Sequence, residues 1–281
     1  MNNNIINRIM GKIERALSKP CLNPFATLYF NFRTLPFSQA CKFPIYIYGR
    51  VKFHNLGGNI IIKAPLKAGM IKFGIPQGFF TASKGNAIIC LSTGSKLIFN
   101  GPCKFDYNYA IRITNGGVVN IGAYIGFGND IKIYSENSIT IGDYCRIPFG
   151  TCFMDTNYHY SIDTETGVVR SKSAPIVIGK FNWIGNTTTI MKGTHTPNGA
   201  IIASKSFLNK DFIKSGENKE NIVIAGSPAR IVTGNCTRVL SLEVEQELNN
   251  WFKNNPNENV YCNEELLKSY KNTTAYNKSF E

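Results

Sequence analysis

An aliphatic residue, once a threonine, recurs at every sixth position through Ile178, Ile184, Ile190, Thr196, Ile202 and Leu208. A period of six fits neither the 3.6 of a helix nor the 2 of a strand in a flat sheet. It fits a chain in which each short strand turns one side chain inward and then rounds a corner, three strands to a coil, with successive coils stacked. The same spacing runs upstream through Phe99, Phe105 and Ile111, through Ile121, Phe127 and Ile133, and through Ile141, Ile147 and Phe153, with a few extra residues taken up at corners between the trios. These ladders predict an all-β solenoid, a parallel β-helix, and the phenylalanines predict a wider early section.

Around this frame the chain divides into three. Residues 51–233 hold the β-helix, whose rhythm begins near Gly57 with apolar triplets such as Ile60-Ile61-Ile62 punctuated by glycine. Residues 1–50 precede it. There Ile5, Ile6, Ile9, Met10, Ile13 and Leu17 form one helical stripe with Arg8, Lys12, Arg15 and Lys19 off it, a basic amphipathic helix that suits packing against protein or lying on an anionic membrane. Pro20, Pro24, Pro36 and Pro44 then predict an extended lead-in rather than a long helix. Residues 234–281 form a C-terminal helical tail: Ser241 caps a helix carrying Val244, Leu248, Trp251 and Phe252 on one face, a short helix is expected around Glu264 to Tyr270, and the end is expected to fray.

Lys and Arg number 31 against 18 Asp and Glu, a net +13 that favours anionic partners. The absence of zinc-finger spacing, RNP-like motifs and a dense Arg-rich helix argues against nucleic acid. The eight cysteines form no CxxC pair and read as reduced thiols, Cys145 and Cys152 as small core or corner residues. No run approaches the ~18–20 apolar residues of a membrane span, and no signal-peptide pattern opens the chain. The expectation is a cytoplasmic protein with peripheral contact at the inner face of the membrane through residues 5–19.

The repeat is interrupted once, by loop 154–175, rich in Asp, Asn, Thr, Tyr and Ser. An insertion thrown out of a regular solenoid is a candidate for function. His159 lies in it, with Asp155 four residues before and Asp163 four after. A loop histidine near carboxylates suits general-base work, because its pKa lies near neutrality and a carboxylate fixes its tautomer; an ordinary loop histidine, and an Asx turn made by Asp155 with Asn157, are the plainer readings. Tyr158 and Tyr160 flank it and suit stacking on a sugar ring or packing at the solvent edge. His195, at a corner, reads as an exposed turn residue and His54 as structural, and these three histidines show no metal spacing.

Several segments together carry a resemblance: Ile176-Val177-Ile178-Gly179 through Trp183-Ile184-Gly185, Ala203-Ser204-Lys205-Ser206, Asn209-Lys210-Asp211, Ala225-Gly226-Ser227-Pro228-Ala229-Arg230, and Asp155-Thr156-Asn157-Tyr158-His159. Over about residues 119–233 the chain resembles the hexapeptide-repeat acyltransferases, in particular maltose, galactoside and polysaccharide O-acetyltransferases. The resemblance implies a left-handed β-helix, a homotrimer and acetyl-CoA as co-substrate without a metal. It implies that His159, oriented by Asp155, takes the proton from an acceptor hydroxyl while a backbone N–H of the neighbouring coil holds the oxyanion. Acceptor contacts fall to Asn157, Tyr158 and Tyr160. CoA would lie in a groove between subunits, against Trp183, Asn186, Ser204, Lys205, Asn209, Lys210 and Arg230. Two departures bear on the groove's shape: Ala203-Ser204-Lys205-Ser206 stands for the usual Gly-Ala-Gly-Ser, and Thr196-Pro197 for Ile-Gly. The expected function is O-acetylation of a sugar or glycolipid hydroxyl in surface polysaccharide (capsule or O-antigen) biosynthesis. N-acetylation of an amino sugar, or a non-catalytic glycan- or protein-binding solenoid, are the alternatives.

Overall fold

Each member of the six-residue ladder lies on its own short strand, and strands of successive coils pair parallel and in register. A computed structural model describes residues 20–76, 87–217 and 219–280, together with Arg8; the amphipathic helix expected over residues 5–17 falls otherwise outside the described residues. The strands build three faces of a prism. The first has nine strands, beginning at Ile45–Ile47; the second has seven, from Val51–Leu56 to Phe207–Leu208; the third has six, from Asn59–Ile62 to His195–Thr196. The last pair of the first face, Val223–Gly226 and Ala229–Thr233, is antiparallel and closes the solenoid.

The ladder residues meet along the axis. Ile121 pairs with Ile141 and Ile141 with Ile178 on the third face; Phe105 pairs with Phe127 on the first; Ile133 pairs with Phe153 and Phe153 with Ile190 on the second. All are buried, and each contributes on the order of 1.5–3 kcal/mol by leaving water. The phenylalanines stack rather than merely crowd: the rings of Phe73 and Phe105 are 4.6 Å apart, and those of Phe105 and Phe127 are 4.1 Å apart at 3°. Thr196 breaks the aliphatic series, and its hydroxyl donates to Oδ1 of the equally buried Asn182 at 2.8 Å, whose amide donates to the Pro197 carbonyl. A satisfied polar pair thus occupies the place where the family pattern has Ile-Gly.

From Ala87 onward, irregularity collects at one corner, between the second and third faces. There the extra residues of the early coils turn through Ser92–Ser95 and Thr114–Gly117, with Gly94 and Gly116 at positive φ. Loop 154–175 is the same corner greatly enlarged. From Phe99 onward the corner between the third and first faces is uniform instead. Tyr124, Tyr144 and Phe181 adopt positive φ one above another, their rings stacked 5.2 and 5.3 Å apart, so ring stacking offsets backbone strain of about 1–2 kcal/mol each.

Both ends depart from expectation. The lead-in is not extended: helix α1 (Pro24–Thr34) starts with proline in its first turn, where a missing N–H costs nothing, and is capped by Asn23, which accepts from the Ala26 N–H. A second short helix, α2 (Phe37–Ala40), follows. Helix α1 is inverted. Its inner face carries Thr27 and Asn31, which donate to and accept from the backbone of Ile45 and Ile47 and so satisfy the open edge of the first strand, while Phe30 plugs the core against Phe53 and Phe73. Phe25, Leu28 and Tyr29 face outward, and Phe37, whose ring meets that of Phe32, is exposed as well.

At the other end the closing strands lead, beyond α3 (Phe212–Ser215), to α4 (Leu242–Asn254), capped by Ser241 as the sequence predicts. After α5 (Leu266–Ser269), α6 (Thr274–Lys278) docks Tyr276 and Phe280 onto Tyr144 and Tyr124. The tail is anchored there, contrary to the expected fraying, because the stacked aromatic corner offers it an apolar seat.

Candidate active site

Loop 154–175 is braced at its root. Asp155 and Thr156 are buried, Asn157 N–H donates to the Lys172 carbonyl at 2.8 Å, and Ala174 N–H donates to the Asp155 carbonyl at 3.0 Å. Glu136, from the coil before, reaches up to pair with Lys172 at 2.9 Å and to accept from Thr156 Oγ1 at 3.2 Å. Burial opposes the Glu136 charge, but Lys172, Thr156 and Asn115 outweigh it and hold the carboxyl below its ordinary value. Lys192, from the following coil, donates to the Ser171 carbonyl. Asp163 accepts from the N–H groups of Glu165 and Thr166 and closes the tip.

This frame presents His159 to solvent. Tyr158, immediately before it, is held at a φ of 59° while its N–H donates to Thr156 Oγ1, so the chain turns outward at that point. His159 is exposed and makes no hydrogen bond or ion pair among the described residues. Asn157 and Tyr160 are exposed beside it and Tyr158 is half-buried.

The carboxylate assigned to orient His159 is otherwise engaged. Asp155 Oδ2 accepts from Ser135 Oγ at 2.7 Å and from Asn137 N–H at 3.0 Å, and Oδ1 accepts from Glu136 N–H at 2.9 Å. Burial pushes its carboxyl up, only partly offset by those donors. Asp155 therefore fastens the loop to the turn one coil below, and its side chain points into the prism corner rather than toward the imidazole.

The residues assigned to CoA separate into groups. Trp183 lies half-exposed on the first face. Asn186 follows at the corner between the first and second faces, where its N–H donates to Ser204 Oγ at 3.1 Å and its carbonyl accepts from Lys205 N–H at 2.9 Å. Lys205 stands at a φ of 58°, the place of a glycine in the family pattern. Gly185 keeps its glycine, since a Cβ there would run into the backbone of Ala203 and Ser204. Asn209 and Lys210 are exposed beyond the second face in the last coil, and Arg230 is exposed on the antiparallel exit strand. His159 and this Trp183–Ser204 group thus stand at different edges of the second face within one chain.

Two features escape the sequence reading. His195 is not a free turn residue: it lies on a third-face strand, half-buried, with Nδ1 3.0 Å from Asp211 Oδ2. Asp211 also caps α3 through the N–H groups of Ile213 and Lys214, and these donors with His195 outweigh burial to hold its carboxyl low. No local pattern links residues sixteen apart. The second is a groove of about 440 Å³ beside Trp183, walled by Phe149 and Asn186 and carrying Asp106, Arg146 and Arg238. Arg146 carries a signal that the sequence reading does not use, because it precedes Ile147 as Trp183 precedes Ile184 and the two pair in register. Arg238 arrives with the tail.

No family model matches the chain. In sequence it is 24% identical over 123 residues to the provisionally assigned colanic acid biosynthesis acetyltransferase WcaF of Escherichia coli K12, covering 44% of this chain. It is 27% identical over 124 residues, 41% of this chain, to the provisionally assigned lipopolysaccharide biosynthesis O-acetyl transferase WbbJ of the same organism. The chain spans 62% and 60% of these relatives' own lengths. In fold it is similar to the crystal structure of the polySia specific acetyltransferase NeuO, with a TM-score of 0.53 at 19% identity over 76% of this chain and 85% of that one. The chain carries a left-handed parallel β-helix, and the proteins it is similar to in sequence and in fold are named as acetyltransferases.

Proposed function

We propose that the protein is an acetyl-CoA-dependent O-acetyltransferase that acts on a sugar hydroxyl in surface polysaccharide biosynthesis, with His159 as general base. The observation that carries this reading is the braced loop that holds an exposed imidazole, without a partner among the described residues, out from a left-handed β-helix; the names of the relatives support the acceptor class. Acetyl-CoA supplies the acetyl group as a thioester. His159 takes the proton from the acceptor hydroxyl as the new C–O bond forms, and returns it to the departing thiolate as the C–S bond breaks. Asn157, Tyr158 and Tyr160 stand where the acceptor would approach.

The donor set around Trp183 fits CoA. An exposed indole and the Asn186–Ser204 corner offer an apolar wall and backbone polar groups to a pantetheine arm, and Lys205, Lys210 and Arg230 are exposed cations for its phosphates. Because these groups and His159 lie at different edges of one chain, the complete site forms between copies in a homotrimer. Peripheral contact with the inner membrane face through residues 5–19 is part of the same reading, supported by the outward aromatic face of α1, which follows them in the chain. Among the described residues no helix is long and apolar enough to cross a membrane.

The test is thiol release from acetyl-CoA across sugar nucleotides and cell-envelope glycans. His159→Ala lowers turnover about 10²- to 10⁴-fold with CoA binding retained. Unchanged turnover in the variant would remove His159 from the chemistry, and no thiol release with no thermal stabilisation by CoA would favour a non-catalytic solenoid.

A further inference from the structure

The outward middle positions of the first face fall into a column. Lys72 pairs with Lys104, Lys104 with Gly126, Gly126 with Arg146, and Arg146 with Trp183. Paired strands lie about 4.8 Å apart, and like charges facing one another on them are destabilising. Burial, then Lys72 and Arg146, press the Lys104 ammonium below its ordinary value. Lys104 is steadied by the tail, donating to the Ser279 carbonyl and lying over the Phe280 ring. Arg146 has no ion-pair partner among the described residues and lies 5.2 Å from the Tyr276 ring centre.

The tail adds Arg238 to this column when it could have added an acid. The Arg238 side chain is only 13% exposed; among the described residues its one ion-pair contact is Glu245 at 3.8 Å, beyond hydrogen-bond length, and its Nη1 has no hydrogen-bond partner. It faces the same tyrosine as Arg146, at 6.0 Å. Two guanidiniums therefore converge on the groove beside Trp183, against a single carboxylate, Asp106, which is buried and already accepts the Tyr107 N–H. A buried cation whose donors are incompletely answered is costly unless an anion completes it. The groove, at about 440 Å³, admits a sugar ring with its substituent.

We propose that the arginine side of this groove is the acceptor subsite, next to the Trp183 and Asn186 wall that faces the pantetheine arm, and that Arg146 and Arg238 bind an anionic substituent, a carboxylate or a phosphate, on the acceptor glycan, so that the protein acts on an acidic glycan. The word acceptor rests on the acetyltransferase reading; the anion subsite does not. A CoA phosphate is the other source of the same chemistry, and Trp183 in the wall offers a means of telling them apart. It is one of two tryptophans, so in a Trp251→Phe background its fluorescence reports the groove alone.

The probes are a galacturonate oligomer, its carboxyl-reduced neutral counterpart, inorganic phosphate, and CoA with and without its 3′-phosphate. The unaltered groove should bind the acidic oligomer at least tenfold more tightly than the neutral one, with a preference that shrinks as salt rises. Arg146→Gln should abolish the preference and Arg238→Lys should keep part of it; circular dichroism establishes that the variants fold, and the wild-type comparison stands without them. Equal affinity for the acidic and neutral oligomers, no response to any acidic probe including phosphate, or a preference that survives Arg146→Gln would overturn the subsite. If Arg146→Gln weakens CoA only when its 3′-phosphate is present and leaves the oligomer unaffected, the cations serve CoA and the acceptor assignment falls. Absence of acetyl transfer with the acidic preference intact would sink the enzyme reading and leave the anion subsite standing.

Discussion

Replacing Asp155 by alanine separates two roles that a carboxylate near a loop histidine can play. The native side chain accepts three hydrogen bonds, from Ser135 Oγ, Glu136 N–H and Asn137 N–H. Bonds to a charged acceptor contribute about 1.5–3 kcal/mol each, which would sum to about 4.5–9 kcal/mol. That sum is too large here. Ser135 is fully buried, but Glu136 is only half-buried and Asn137 is exposed, so water replaces part of what is lost. Burial also works against the Asp155 charge, and the alanine escapes that penalty. A net cost of about 2–4 kcal/mol follows, localised to the loop root.

A solenoid need not unfold all at once, so a melting temperature is a blunt reader of a local change. Amide hydrogen exchange is the direct one. The amides of Asn157 and Ala174, which pair across the root with Lys172 and Asp155, should exchange about 30- to 1000-fold faster in Asp155→Ala, since about 1.4 kcal/mol is a factor of ten. Amides of the first face, such as that of Phe127, should keep their wild-type rates. Wild-type exchange at Asn157 and Ala174 together with a large loss of turnover would refute this reasoning and return Asp155 to the role of orienter.

Acidification should loosen the same root through a different group. Glu136 is held below its ordinary value of 4.5, so its contribution is complete above that pH and is lost as pH falls through the lowered folded value; protease cleavage within 155–175 should accelerate there, and the acceleration should be smaller in Glu136→Gln. The Cys145 thiol is pushed up to about 12 by burial and donates to the Gly179 carbonyl, so it should resist alkylation at pH 8 until the prism opens, while exposed Cys262 reacts at once; comparable labelling of both in native protein would contradict the buried assignment.

The interior of the prism was legible because every coil repeats the same demand. One inward side chain per strand must fill the space below its predecessor, so Ile121, Ile141 and Ile178 announce themselves by spacing alone. The ends were not legible for a physical reason. At an open end the first strand needs hydrogen-bond partners more than apolar cover, and α1 supplies them with Thr27 and Asn31 turned inward. The ordinary rule of apolar inside and polar outside is thereby reversed, and proline counts suggest an extended chain where Pro24 only marks a helix start. The partners of Asp155 escape a local reading on the same ground: they lie one coil back, at 135–137, and only the coil length relates them. The His195–Asp211 pair and the approach of Arg238 to Arg146 depend on which coil stacks on which and on where the tail docks.

The separation of the site within one chain has a consequence that a simple mixing experiment reads. His159 stands on the loop at the corner of the second and third faces, and Trp183, Asn186 and Ser204 stand at the first face and its corner with the second. A whole face of the prism lies between them, so a site that uses both takes its base from one copy and its groove from the next. If His159→Ala and Trp183→Ala chains, each inactive alone, are unfolded together, mixed one to one and reassembled, an active site needs a loop from the second variant facing a groove from the first. Each choice has odds of one half, so about a quarter of wild-type turnover should return in a closed ring of identical interfaces. If both groups belonged to a site within one chain, every subunit would still carry one lesion and the mixture would stay inactive. Trp183 is half-exposed, so its truncation leaves the buried rungs intact and keeps that comparison clean.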